Sequence, residues 1–153
     1  MIEGVKLTDL KITGDERGEI RHFMRCDKPP FERFGEVYFS LIYPDVVKAW
    51  HLHKVMTLNY VCVVGVVEIA LRDGRPESNT LGIITNFTLA DHGGIYKLLT
   101  IPPGVWNGFR SPIGWADPVI IANCSTHPHD PDEIERCDAD TFDFDWGPYR
   151  LSG

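Results

Sequence analysis

The stretch Tyr60-Val61-Cys62-Val63-Val64-Gly65-Val66-Val67-Glu68-Ile69-Ala70-Leu71 constrains the fold more than any other part of the chain. Two runs of apolar and β-branched residues flank one glycine, which reads as two strands joined by a tight turn. The same texture recurs along the sequence. Strands are expected at 37–43, 60–64, 66–71, 81–89, 97–101 and 119–122. Gly14-Asp15, Asp73-Gly74, Gly93-Gly94, Pro102-Pro103-Gly104 and Pro112-Ile113-Gly114 punctuate them as turns. One helical turn is expected near 130–136, where Pro131-Asp132-Glu133 suits a helix start. Many short strands separated by turns predict an all-β antiparallel sandwich or barrel with little helix. The 153 residues fit one domain, 1–153, long enough to bury a core.

Charge and cysteine usage exclude several functions. A net charge of −7 with no basic stripe argues against a nucleic-acid partner. A small phosphorylated ligand needs only a few local cations and stays open. No apolar run approaches the ~18 residues of a membrane span, so no membrane partner is expected. The first residues lack the pattern of a signal peptide, which makes the cytoplasm the expected location. Cys26, Cys62, Cys124 and Cys137 show no C-x-x-C spacing and suit a reducing compartment.

The chemistry centres on Trp50-His51-Leu52-His53-Lys54. Residues i and i+2 of a strand share a face, so His51 and His53 are expected to enter one cavity. A metal-binding cupin barrel adds a glutamate five residues after the second histidine and a histidine in a later P-x-G-x-x-H segment. Those slots hold Leu58 and Asn107 here. Leucine cannot ligate and asparagine is a poor transition-metal ligand, so no metal is expected. Imidazoles without a metal set point to proton transfer. His127-Pro128-His129-Asp130 reads as a solvated loop, and so does most of the acidic end from Asp138 to Asp145.

Five further segments appear in a familiar order. They are Gly14-Asp15-Glu16-Arg17-Gly18; Val46-Val47-Lys48-Ala49-Trp50-His51; Asp73-Gly74-Arg75 with Ser78-Asn79-Thr80; Ile101-Pro102-Pro103-Gly104-Val105-Trp106-Asn107-Gly108-Phe109; and Pro131-Asp132-Glu133-Ile134 leading to Cys137-Asp138. Together they resemble the motifs of the dTDP-4-dehydrorhamnose 3,5-epimerase family of metal-free cupins. The resemblance implies a double-stranded β-helix (jelly-roll) barrel with an N-terminal strand arm, no cofactor, and dimerisation through that arm. It implies epimerisation at C3 and/or C5 of a nucleotide-linked 4-keto-6-deoxyhexose in deoxysugar or surface polysaccharide biosynthesis.

In that reading His51 is the base and Asp138, with Asp140 next in order, fixes its ring. Lys48 and Asn107 face the developing enolate. Arg17 and Arg75 bind the diphosphate, and Trp106 counts with the substrate-binding residues. Two family groups are missing. The acid tyrosine is absent from Ile120-Ile121-Ala122-Asn123-Cys124, and Leu58 stands where the family has lysine. Tyr60 or a water is the replacement acid.

A second resemblance is to the dTDP-4-keto-6-deoxyhexose 3,4-ketoisomerases, whose H-x-H-K motif with a glycine twelve residues on looks like His51-Leu52-His53-Lys54 to Gly65. There both imidazoles act, so His53 separates the readings. A third reading is a cupin that binds a sugar nucleotide without turning it over.

Overall fold

Glycine at position 65 is the single residue between two strands. Its φ of +83° lies in the left-handed region, and an added Cβ would stand 3.2 Å from Val119. On either side run β6 (Leu58–Val64) and β7 (Val66–Asp73). The structure is a computed structural model that describes residues 1–151. The other strands are β1 (Lys6–Asp9), β2 (Ile12–Asp15), β3 (Gly18–Arg21), β4 (Glu36–Ile42), β5 (Val46–His53), β8 (Ile84–Ala90) and β9 (Lys97–Ile101). They are followed by β10 (Val105–Arg110), β11 (Val119–Ser125), β12 (Ile134–Arg136) and β13 (Arg150–Leu151).

Two sheets form the sandwich. One runs β1-β9-β6-β11-β4 and the other β12-β5-β10-β7-β8, with β13 alongside β5. Leu58, Tyr60, Cys62, Leu99, Ile101 and Ile121 of the first sheet pack on Ile69, Leu71, Leu89, Val105 and Phe109 of the second. This is the jelly-roll architecture expected from the sequence. The hairpin β2–β3 forms a separate two-stranded sheet.

The helical turn expected near 130–136 is shorter than the sequence suggested. A 3-10 turn spans Pro131–Glu133, capped by the Asp130 side chain, and Ile134–Arg136 is strand β12 on the edge of β5. Likewise 81–83 belong to a turn, and β8 starts only at Ile84.

Two layers lie outside the sandwich. Phe23 and Met24 from the N-terminal arm cover Val61, Tyr96 and Leu98. Behind β5, an aromatic strap covers the fully buried Trp50, whose ring meets Phe142, Phe144 and Trp146 at 5.1–6.0 Å. The indole Nε1 donates to Ala139 O at 3.2 Å. Trp50→Ala removes this anchor and leaves a large hole. The expected loss is about 3–5 kcal/mol, read as a lower urea midpoint at unchanged m-value.

Candidate active site

A cavity of about 400 Å³ opens between the two sheets. Lys48, His51 and His53 from β5, Phe109 from β10 and Arg136 from β12 line one wall. Tyr38 and Ser40 from β4, Tyr60 from β6 and Asn123 from β11 line the other. Simple alternation would send Lys48 and His51 to opposite faces. The register explains why both reach the cavity. His51 pairs with Asn107 and Lys48 with Phe109, so β5 carries an extra residue between them. A β-bulge of this kind re-aims a side chain, and it does so here beside the histidine pair.

Most polar groups on the walls have a partner that fixes them. His53 Nδ1 hydrogen-bonds Oε1 of the buried Glu133, whose Oε2 accepts from the amides of Lys54 (2.9 Å) and Val55 (3.2 Å). Lys48 Nζ donates to Ser40 Oγ at 2.7 Å, joining the sheets, and burial holds its ammonium below the usual lysine range. Tyr60 donates to Asn107 Oδ1 at 3.2 Å and Asn107 Nδ2 donates to His51 O at 2.9 Å. Asn123 Nδ2 donates to the Tyr38 hydroxyl at 3.0 Å. Burial raises both phenols above their ordinary value, so they stay protonated at neutral pH.

His51 sits in a different field. Burial, followed by the charges of Arg136 and Lys48 and the neighbouring His53, lowers its pKa to about 4. It is therefore a neutral imidazole at physiological pH.

Several expected site residues fall elsewhere. Asp138 is exposed and lies in the strap behind β5. The adjoining Cys137 exchanges backbone hydrogen bonds with Trp50, whose side chain points away from the cavity. The strap thus runs behind the strand, on the side opposite the histidines. Asp140 is exposed in the same segment. The carboxylate that reaches an imidazole is Glu133, and it reaches His53.

Arg17 is 85% exposed at the tip of the β2–β3 hairpin and pairs with Asp15. Arg75 is bound to the buried Asp73 at 2.7 Å and to Glu3 O, closing a loop with Ser78. It holds that carboxyl far below the usual range. Neither arginine lines the cavity. Trp106 packs against Phe142 behind the sheet, because it alternates with Asn107 along β10. Asn107 is buried behind the wall as a bridge between Tyr60 and His51.

The sequence reading missed Tyr38, Arg136 and Glu133 as site residues. Tyr38 was legible only as one residue of an apolar strand. Its register opposite Asn123 brings a phenol beside the segment that lacks the family tyrosine. Arg136 stood in the segment expected to turn helical, and β12 carries it to the cavity.

Comparison with known proteins agrees with this architecture. Residues 3–130 match the family described as FdtA: WxcM-like, C-terminal. The chain belongs to that family. A probable low-salt glycan biosynthesis epimerase of Haloferax volcanii is 34% identical over 137 residues, 86% of this chain and 85% of that protein. The spore coat polysaccharide biosynthesis protein SpsL of Bacillus subtilis is 31% identical over 150 residues, 95% and 97% of the two chains. The crystal structure of a dTDP sugar isomerase from Desulfovibrio desulfuricans superposes with a TM-score of 0.89 at 39% identity, covering 95% of this chain and 92% of that one. The resemblance to sugar epimerases carried by the motifs therefore extends over nearly the whole family member.

The depressed pKa of His51 has a measurable consequence. Its unfolded value is about 6.5, so between there and about 4 the unfolded chain binds the extra proton. His51 should thus weaken the fold as pH drops through that window, and be without effect above it. In an NMR titration its ring signals are expected to move at about pH 4, while the unfolded chain titrates near 6.5.

Proposed function

We propose that the protein is an epimerase acting on a nucleotide-linked 4-keto-6-deoxyhexose, at C3, C5 or both, in surface polysaccharide or deoxysugar biosynthesis. The observation that carries this reading is the opposition of imidazoles on one wall to the Tyr38 phenol on the other. Inverting a carbon requires removing its proton from one face and returning one to the opposite face. The 4-ketone acidifies the neighbouring C–H bonds, and an imidazole on the β5 wall takes the proton. The electrons move into an enolate whose oxygen the Lys48 ammonium stabilises. Tyr38, protonated at neutral pH, then delivers a proton from across the cavity. Tyr60 is less suited to this step, since its proton is committed to Asn107.

Arg136 also gives an acidic protein a local cation for the diphosphate. The chemistry of a guanidinium suits phosphate oxygens. In this reading Arg136 takes the role expected of Arg17 and Arg75.

One observation favours a second reading. His53 and His51 lie on the same strand and share a wall, as a 3,4-ketoisomerase shuttling a proton on one face would need. The test is incubation with dTDP-4-keto-6-deoxyglucose in D2O, following the ring protons by NMR. Deuterium at C3 or C5 with the ketone still at C4 is the expected result. A ketone moved to C3 supports the isomerase instead. Absence of exchange with any of several 4-keto nucleotide sugars would leave only a binding role. Tyr38→Phe is expected to slow epimer formation about 10²–10⁴-fold while deuterium wash-in from the imidazole face continues.

The reading also includes a homodimer. Strand β4 is the end of its sheet and turns Val37, Phe39 and Leu41 outward, with Phe39 68% exposed. An isolated hairpin such as β2–β3 is marginal alone in water, and pairing with a second copy would bury both features. Phe39→Asp is expected to convert a dimer to a monomer in sedimentation at micromolar concentration.

A further inference from the structure

Two imidazoles share the cavity wall, and their surroundings differ in sign. We infer that Glu133 is a positioning residue that makes His53, rather than His51, the group that takes up the substrate proton. This rests on the 4-keto-sugar reading above and deepens it.

Glu133 is 6% exposed at the end of the Pro131–Glu133 turn, and its carboxylate is fully committed. Two backbone amides hold Oε2, and Oε1 faces Nδ1 of His53. A carboxylate only accepts, so Nδ1 must carry the hydrogen and Nε2 is left with the free lone pair. When Nε2 takes a proton, the imidazolium stands against a carboxylate that is already ordered. His51 has the reverse setting. Its charged neighbours are the Lys48 ammonium and the Arg136 guanidinium, and no carboxylate contacts its ring among the described residues. A positive charge is opposed there and supported two residues away. Paired groups driven apart by their surroundings divide the work of acid and base.

The proton ledger follows. The C–H bond adjacent to the ketone breaks and its proton goes to Nε2 of His53. The electron pair forms the C=C bond and the carbonyl oxygen becomes the enolate, facing Lys48 and the neutral N–H of His51. The enolate collapses as Tyr38 O–H protonates the opposite face. His53 then releases its proton to solvent, and Tyr38 regains one from solvent.

Glu133→Gln tests the assignment. The amides of Lys54 and Val55 still require an acceptor, so the glutamine oxygen stays with them and its NH2 turns to His53. That forces the hydrogen onto Nε2 and removes the base. Deuterium wash-in is expected to fall about 10³–10⁴-fold with KM changed only a few-fold. Ring 15N shifts, assigned by comparing His51→Gln and His53→Gln, should show the Nδ1–H form of His53 in the wild type and the Nε2–H form in Glu133→Gln. These shifts need no substrate. His53→Gln should lose wash-in, while His51→Gln should keep a measurable rate.

Wild-type exchange that survives His53→Gln but not His51→Gln would overturn the inference and leave the epimerase reading intact. An Nε2–H form of His53 in the wild type would overturn it too. Wild type that exchanges no 4-keto sugar would instead sink the functional reading on which it rests.

Discussion

Strand β5 is buried on both faces, and the site depends on that. On its back, Trp50 is locked by an aromatic strap and by a hydrogen bond to Ala139 O. On its front, Lys48, His51 and His53 reach the cavity. A strand that exposes three ionisable side chains to a half-closed space gains little from them. The apolar layer behind supplies the stability that holds them in register. The bulge between Lys48 and His51 is affordable for the same reason, since ladder pairing on β10 and packing behind both persist around it.

Within the cavity most polar groups on the walls are held by a partner. Asn59, Asn123 and Tyr38 form one run of hydrogen bonds within the first sheet, and Tyr60 and Asn107 form a second that crosses to the backbone of His51. Thr100 closes the first run at its far end on Asn59 Oδ1. Unpaired, these groups would each cost about 1–3 kcal/mol in a buried setting. Paired, they fix the spacing between the walls. That spacing sets how far a phenol can stand from an imidazole.

Fold and site were legible to different depths. The alternation of β-branched runs with glycine turns is a local signal, and it fixed the sandwich and the shared face of His51 and His53. Where contacts are distant in sequence, local signals fall silent. Glu133 lies 80 residues from His53, and only the pairing of β12 with β5 brings them together. Asp138 carried a family resemblance, but the strap containing it passes behind β5. A one-strand difference in path decides which carboxylate meets a ring. Trp106 and Asn107 show the same limit at shorter range: adjacent on β10, they face opposite sides, so only the pleat tells them apart.

The position of Tyr38 adds a constraint of its own. Strand β4 is an end strand, paired on one side only, with β11. End strands are the first to fray, yet in the proposed role of proton donor Tyr38 must hold its place to a fraction of an ångström. Two contacts offset this. Asn123 grips the hydroxyl from within the same sheet. Lys48 grips Ser40, two residues along β4, from the opposite sheet. In the proposed mechanism the lysine that offers its charge to an enolate thereby also fastens the strand that carries the phenol. Replacing Lys48 with a neutral residue would remove both effects at once, so its kinetic cost cannot be divided without Ser40→Ala, which loosens the strand and leaves the charge.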